Sequence, residues 1–187
     1  MKLNRKGFTL IELLAVITIL GILMIVGIPA VQRTITNSRK DTFYDTAKEY
    51  VNAVKTAWAA DDITCGTGTN ESPASSVEAG KTYAVWFATD DSFTIADEGN
   101  GATTNKDNLL QSGGKSPWNT EVAGYVLVNV PATGNLTYSV VMVDKKGHGF
   151  ETVQNADTLG RAQVEVSGQT LPSTSGATGL ICTVNAS

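Results

Sequence analysis

"RKGFTLIELLAVITILGILMIVGIPAVQR", residues 5–33, decides how the rest of the chain is read. Residues 13–31 carry no charge, nineteen positions in a row, close to the ~20 that a helix needs to cross a bilayer. One carboxylate, Glu12, stands at the start of this run, and the run holds no basic residue to pair with it. A carboxylate in the middle of a bilayer costs on the order of 2.5–3.5 kcal/mol on insertion scales. Glu12 is therefore either an interfacial residue about one turn below the head groups or a functional charge whose partner comes from elsewhere.

The segment is not built like a cleaved secretory signal. Such a signal has ~7–15 apolar residues and closes on an A-x-A site, whereas this run is longer and offers Ile28-Pro29-Ala30 in that place. Lys2, Arg5 and Lys6 come before it, which orients the N-terminus to the cytoplasm and everything after the run to the outside. Without these three cations the remaining chain has 11 basic and 18 acidic residues, a net charge of −7. With a pI of about 4.9, nothing points to binding of a phosphate backbone, and nucleic acid is not expected as a direct partner. At 187 residues the chain is long enough for one globular domain and an appendage.

Apolar periodicity continues beyond the run. Phe43, Ala47, Tyr50, Val51, Val54, Ala57 and Trp58 recur at steps of three and four, with Asp45, Lys48, Glu49, Asn52 and Lys55 between them. That is the pattern of an amphipathic helix. Gly27 and Pro29 are the breakers in between, and they can kink a helix without ending it. One helix from about residue 8 to residue 60 is expected, apolar all round in its first half and on one side in its second.

Lys6-Gly7-Phe8-Thr9-Leu10-Ile11-Glu12-Leu13-Leu14, followed by the apolar run and Pro29, resembles the N-terminus of the type IV pilin family. The motif is a short basic leader, a Gly before an aromatic residue, and a Glu five positions after that Gly. It covers residues 1–35 strongly. The resemblance implies a leader of residues 1–7 cut between Gly7 and Phe8 by a prepilin peptidase, with N-methylation of Phe8. Residues 8–31 would form the transmembrane and filament-core half of the helix, residues 32–60 its amphipathic half, and residues 61–187 a globular pilin head. Glu12 would meet the freed α-amino group of a neighbouring subunit, which supplies the missing cation; pairing two buried charges removes much of the cost of each. Gly21, Gly27 and Pro29 would mark the stretch where the helix loses regular hydrogen bonding in filaments. The other reading of these three is that Gly and Pro are common in membrane helices.

The remaining chain reads as strands and turns. Residues 61–76 are expected to be an exposed, turn-rich loop, and residues 81–89 have strand-like composition but read equally as the end of a helix. Residues 105–114 read as a helical turn stopped by glycines. Strands are expected at 125–130, 136–143 and 149–153, joined by "PATGN" and "DKKGHG" as an antiparallel meander. Residues 162–166 and 180–184 are read as edge strands. The fold class is thus α+β: a long N-terminal helix, apolar then amphipathic, packed on a C-terminal antiparallel sheet, the pilin fold.

Chemistry is sparse. Cys65 and Cys182 lack the spacing of a zinc or redox site. Either they are unrelated buried thiols or, because the domain lies outside, they form a disulfide that an oxidising compartment preserves; the bond is expected. His148, the one histidine, lies between glycines and is read as an exposed turn residue. Asp61-Asp62 and Asp90-Asp91 form no calcium loop. Residues 116–125, around Pro117-Trp118, resemble the segment before the sheet in some pilins and pseudopilins, without the acidic residues found there in the calcium-binding pseudopilins. N-x-S/T triplets begin at Asn70, Asn135 and Asn185 and are read as chance matches. No cofactor, metal or enzymatic activity is expected.

The resemblance implies a structural subunit of a type IV pilus for adhesion, twitching motility or DNA uptake. Its partners would be copies of itself, the prepilin peptidase, the assembly platform and, before assembly, the membrane. It would be a single-pass membrane protein first and an extracellular filament subunit later. Two other readings stand beside it: a pseudopilin of a secretion or competence system, and a membrane-anchored extracellular enzyme or ligand-binding module.

Overall fold

The computed structural model describes residues 8–67, 70–73, 77–90, 109–110, 114–171 and 180–184. The chain divides into two compact units, residues 1–38 and residues 39–187. A single helix, α1 (Leu10–Ala59), begins in the first and ends in the second. In the first unit the side chains of α1 from Leu10 to Val31 are exposed. Its most apolar 18-residue window has a mean hydropathy of 2.7 and no buried residue, so by length and composition it suits a bilayer.

The second unit is built on the other end of α1. Phe43, Ala47, Tyr50, Val51 and Val54 are buried there, the face that the periodicity marks. The strands are β1 (Ile63–Thr67), β2 (Asn70–Pro73), β3 (Lys81–Ala88), β4 (Val122–Val130), β5 (Thr137–Asp144), β6 (Gly149–Phe150), β7 (Gln154–Asn155), β8 (Val164–Glu165) and β9 (Leu180–Val184). They form one sheet in the order β2-β1-β9-β3-β4-β5-β6-β8, with β7 also on β5. All pairings are antiparallel except β3 with β9, which is parallel.

Rings carry the contact between helix and sheet. Tyr50 stacks on Phe87 with centroids 3.8 Å apart, and Trp58 lies 6.0 Å from Tyr83. Alternation along β3 puts Tyr83, Val85 and Phe87 toward α1 and Ala84, Trp86 and Ala88 on the opposite face. Both sets are buried, as are residues 122–128 of β4. Trp86 meets Tyr125, its cross-strand neighbour, edge to face at 4.7 Å. The centre of the sheet is therefore covered on both sides, which explains why residues 83–88 form a continuous apolar run and not an alternating one.

Several sequence expectations are corrected here. Part of residues 61–76 is a hairpin, β1 with β2, because Ile63 and Cys65 alternate into the core. Residues 180–184 are a strand but not an edge: β9 lies between β1 and β3. Residues 149–153 do not form one strand. Gly149 pairs with Val143 and Gln154 with Val140, so five steps face three on β5 and the chain bulges between β6 and β7. Residues 162–166 divide into a 3₁₀ turn, Arg161–Gln163, and β8. Of the expected helical turn at 105–114, Leu109, Leu110 and Gly114 are described and are not helical; the rest lies outside the described residues.

Polar contacts tie the periphery to this core. Arg161 forks onto Asp41 of α1, Nε to Oδ1 at 2.6 Å and Nη2 to Oδ2. Bonds from Arg161 hold the Asp41 carboxyl below its ordinary range. Lys115 reaches Glu121 at 2.8 Å, and its hydrogen bond, with help from Thr89, likewise lowers the Glu121 carboxyl. A carboxyl lowered by folding stabilises the fold above the unfolded pKa, and that contribution disappears as pH falls through the folded value. Lys115→Met should therefore move the Glu121 carboxyl titration upward and remove part of the acid sensitivity below the ordinary carboxylate range. NMR titration of the side-chain carboxyl checks both.

β4 and β5 also leave no room at Gly124. A Cβ there would run into the Val141 carbonyl oxygen and the Phe87 ring at 2.6 Å. Gly124→Ala should destabilise the second unit by about 1–3 kcal/mol or more, as overpacked cores do. Denaturant unfolding followed by near-UV circular dichroism would read the loss.

Candidate assembly segment

The first turn of α1 is closed by its own side chains. Thr9 precedes Leu10, so Thr9 is the N-cap and Glu12 the third helical residue. Glu12 Oε2 accepts from the Thr9 backbone N–H and from Thr9 Oγ1, both at 2.8 Å, while the Glu12 N–H donates to Thr9 Oγ1 at 3.3 Å. This reciprocal pattern is a capping box, T-x-x-E. It was legible in the sequence as Thr9-x-x-Glu12, but treating Glu12 only as an unpaired charge passes over it. One carboxylate oxygen takes both bonds, and Oε1 remains available to another donor.

Phe8 lies just outside the helix with 87% of its surface exposed; Gly7 lies outside the described residues. Gly21, Gly27 and Pro29 are all within α1. Neither glycine has anything within 4 Å of where a Cβ would stand. Leu20, Leu23, Met24, Gly27, Ile28, Val31 and Gln32 border a shallow apolar groove. Pro29 has no N–H, so the backbone there forgoes one helical bond. Thr18 and Thr34 turn their hydroxyls back to Ala15 and Ala30 carbonyls, which spares an apolar surrounding from free donors.

In the second unit, Cys65 and Cys182 are bonded. They are directly opposed in the β1–β9 pair and both are buried. His148 is not an exposed turn residue. Its Nδ1 lies 2.7 Å from Asp144 Oδ2, and its ring stacks on Trp118 at 4.1 Å and 5°. Asp144 is buried and also accepts from Ser116 Oγ at 2.7 Å and from the Lys146 and His148 N–H groups at 2.9 Å. Burial of a carboxylate demands such donors, and the turn after β5 and the segment before β4 supply them. The group does not activate a nucleophile: Ser116 and His148 both bond the same carboxylate oxygen, so the hydroxyl is not aimed at the imidazole. It clips the segment before β4 to the β5–β6 turn, and Trp118 passes the contact to Phe43 at 5.9 Å. Asp90 pairs with Lys145; Asp91 lies outside the described residues. No cluster of three His, Cys, Asp or Glu suited to a metal occurs among the described residues.

Residues 2–28 match the family model described as the prokaryotic N-terminal methylation motif. The match supports a type IV pilin or prepilin-like family, whose members are structural and not enzymatic in kind. The observed helix-plus-sheet architecture agrees with it. No curated protein and no solved structure matches the chain.

Thr9→Val keeps the Thr9 N–H bond to Glu12 but deletes both hydroxyl bonds. Losing an N-cap costs about 0.5–2 kcal/mol. Amide exchange at Ile11, Glu12 and Leu13 in detergent micelles should accelerate roughly two- to thirty-fold, with residues 39–67 unaffected.

Proposed function

We propose that the chain is a subunit of a type IV pilus-type filament. It is made as a prepilin whose residues 1–7 are removed between Gly7 and Phe8 by a prepilin peptidase, with methylation of the new terminus at Phe8. Residues 8–31 hold it as a single-pass membrane protein until the assembly platform adds it to a filament of its own kind. The globular unit is then extracellular. The methylation-motif match over residues 2–28 carries this reading.

The geometry supports the same reading in two places. Glu12 sits in the first turn of α1 with Oε1 uncommitted, one turn from the terminus that cleavage creates. The α-ammonium of a neighbouring Phe8 is a cation this carboxylate lacks among the described residues. Apolar side chains from 10 to 31 stand exposed, and the groove over Gly27 offers a neighbouring helix a close approach. Gly21, Gly27 and Pro29 let the helix loosen on packing, since Pro29 already withholds one bond. The Cys65–Cys182 bond then preserves the globular unit outside the cell.

Intact-mass analysis of surface filaments tests the proposal. A subunit starting at methylated Phe8 is expected, and a start beyond Ala30 would remove both pilin and anchor. Glu12→Gln should leave the globular unit folded and the subunit in the membrane, yet abolish or disorder filaments. Normal filament number in that variant would reduce Glu12 to an interfacial residue.

A further inference from the structure

Arg33 is the first charged residue after Glu12. The 21 steps of α1 between them rise about 31 Å, close to the ~30 Å of a bilayer's hydrocarbon core. With Glu12 at one boundary, Arg33 stands at the other, where lipid phosphates lie. Its surroundings suit an anion. Pro29, Gln32, Arg33, Thr36 and Asn37 border a groove on one face of α1, entirely within the first unit. Arg33 brings a planar fork of N–H donors, and the two amides bring two donors each. No acidic residue occurs between Glu12 and Asp41, and both Asp41 oxygens are taken by Arg161. Among the described residues no carboxylate pairs with Arg33. Toward the N-terminus the same face is apolar: Ile22, Ile25 and Val26 precede Pro29 at helical steps of three and four, and all three are exposed. Apolar side chains followed by a cation with amides repeat the order of groups along a glycerophospholipid, acyl chain and then phosphate. The groove at Gly27 is a different one, since Gly27 and Pro29, two residues apart, point to opposite sides of a helix with ~3.6 residues per turn.

We propose that this face of α1 is a binding site for one anionic glycerophospholipid, its phosphate on Arg33 with Gln32 and Asn37 beside it and an acyl chain along Ile22, Ile25 and Val26. The inference rests on residues 8–31 crossing the membrane, as proposed for the filament subunit. Two phosphate oxygens accept two parallel N–H bonds from a guanidinium, a geometry that a lysine does not reproduce. A zwitterionic head group carries its own cation and gains less from a second one. The bound lipid fixes the depth at which the helix leaves the bilayer, and it leaves the Gly27 side to a neighbouring subunit.

Native mass spectrometry of the full-length chain, released from nanodiscs of equal phosphatidylglycerol and phosphatidylcholine, tests the site. The unsubstituted chain should retain one lipid, with phosphatidylglycerol enriched about fivefold over phosphatidylcholine, the weight of one arginine at an anionic surface. Arg33→Gln should return the ratio to that of the disc, and Arg33→Lys should keep part of the preference. Arg39→Gln removes the same charge less than two turns further along and should leave the enrichment intact. Equal losses in the Arg33 and Arg39 variants would reduce the effect to diffuse surface charge and overturn the site. Lipid-free dimers would overturn it too, by giving this face to a second copy. Entry into the discs without enrichment sinks the lipid site alone, whereas a chain that does not enter them fails the membrane-spanning reading as well.

Discussion

The burial of one face of α1 is the constraint on which the globular unit depends. Phe43, Ala47, Tyr50, Val51 and Val54 leave water completely or nearly so, and a large apolar side chain gains about 1.5–3 kcal/mol by doing so. Area alone does not choose a partner. The aromatic pairs do: Tyr50 lies flat on Phe87, and Phe43 meets both Trp118 and Phe150 edge-on. Phe87 fixes the position of β3, Phe150 that of β6, and Trp118 that of the segment before β4. A helix with the same apolar area but no rings in these places would leave the sheet free to slide.

Much of this was legible in the sequence, and the reasons are local. Steps of three and four in residues 43–58 report a helix whatever it packs on. β4 and β5 stood out because Gly134 and Gly147, both at positive φ, punctuate their ends. What escaped was long-range. Nothing in residues 180–184 says which strands will flank them, so β9 reads equally well as an edge or a centre. The hairpin at β1 is hidden by Gly, Thr and Ser, since composition speaks for turns while the pairing with β9 is decided 117 residues away. His148 misled for a related reason: two neighbouring glycines advertise a turn, but Asp144 and Trp118, which bury it, are recognised only once β5 and the preceding segment meet. Thr9 was the opposite case, a local signal overlooked.

The two units meet the same requirement by different means. The described residues of 39–187 bury most of their large apolar side chains, on both faces of β3 and β4. The apolar run of α1 in unit 1 buries none of it and by length and composition suits a lipid bilayer. Polar groups follow the same division: the Thr18 hydroxyl in the apolar run donates to a carbonyl of its own helix and the capping box closes the first turn, whereas the globular unit uses pairs between residues distant in sequence such as Arg161–Asp41. In this sense the amino-terminal segment is already adapted to an anhydrous environment in the isolated chain.

The placement of the three tryptophans makes the globular unit its own optical probe. Trp86 is fully buried, and its indole N–H finds no acceptor, so it should emit at the blue end of the indole range. Trp118 lies flat against the His148 imidazole, a contact through which an excited indole loses energy without emitting. Trp58 is half-buried at the end of α1, against Tyr83. Opening of the sheet would shift the first to the red, parting of the β5–β6 turn from the Ser116 segment would brighten the second, and fraying of the helix would expose the third. Three colours and intensities of ultraviolet emission thus report three separate seams of one domain without any label.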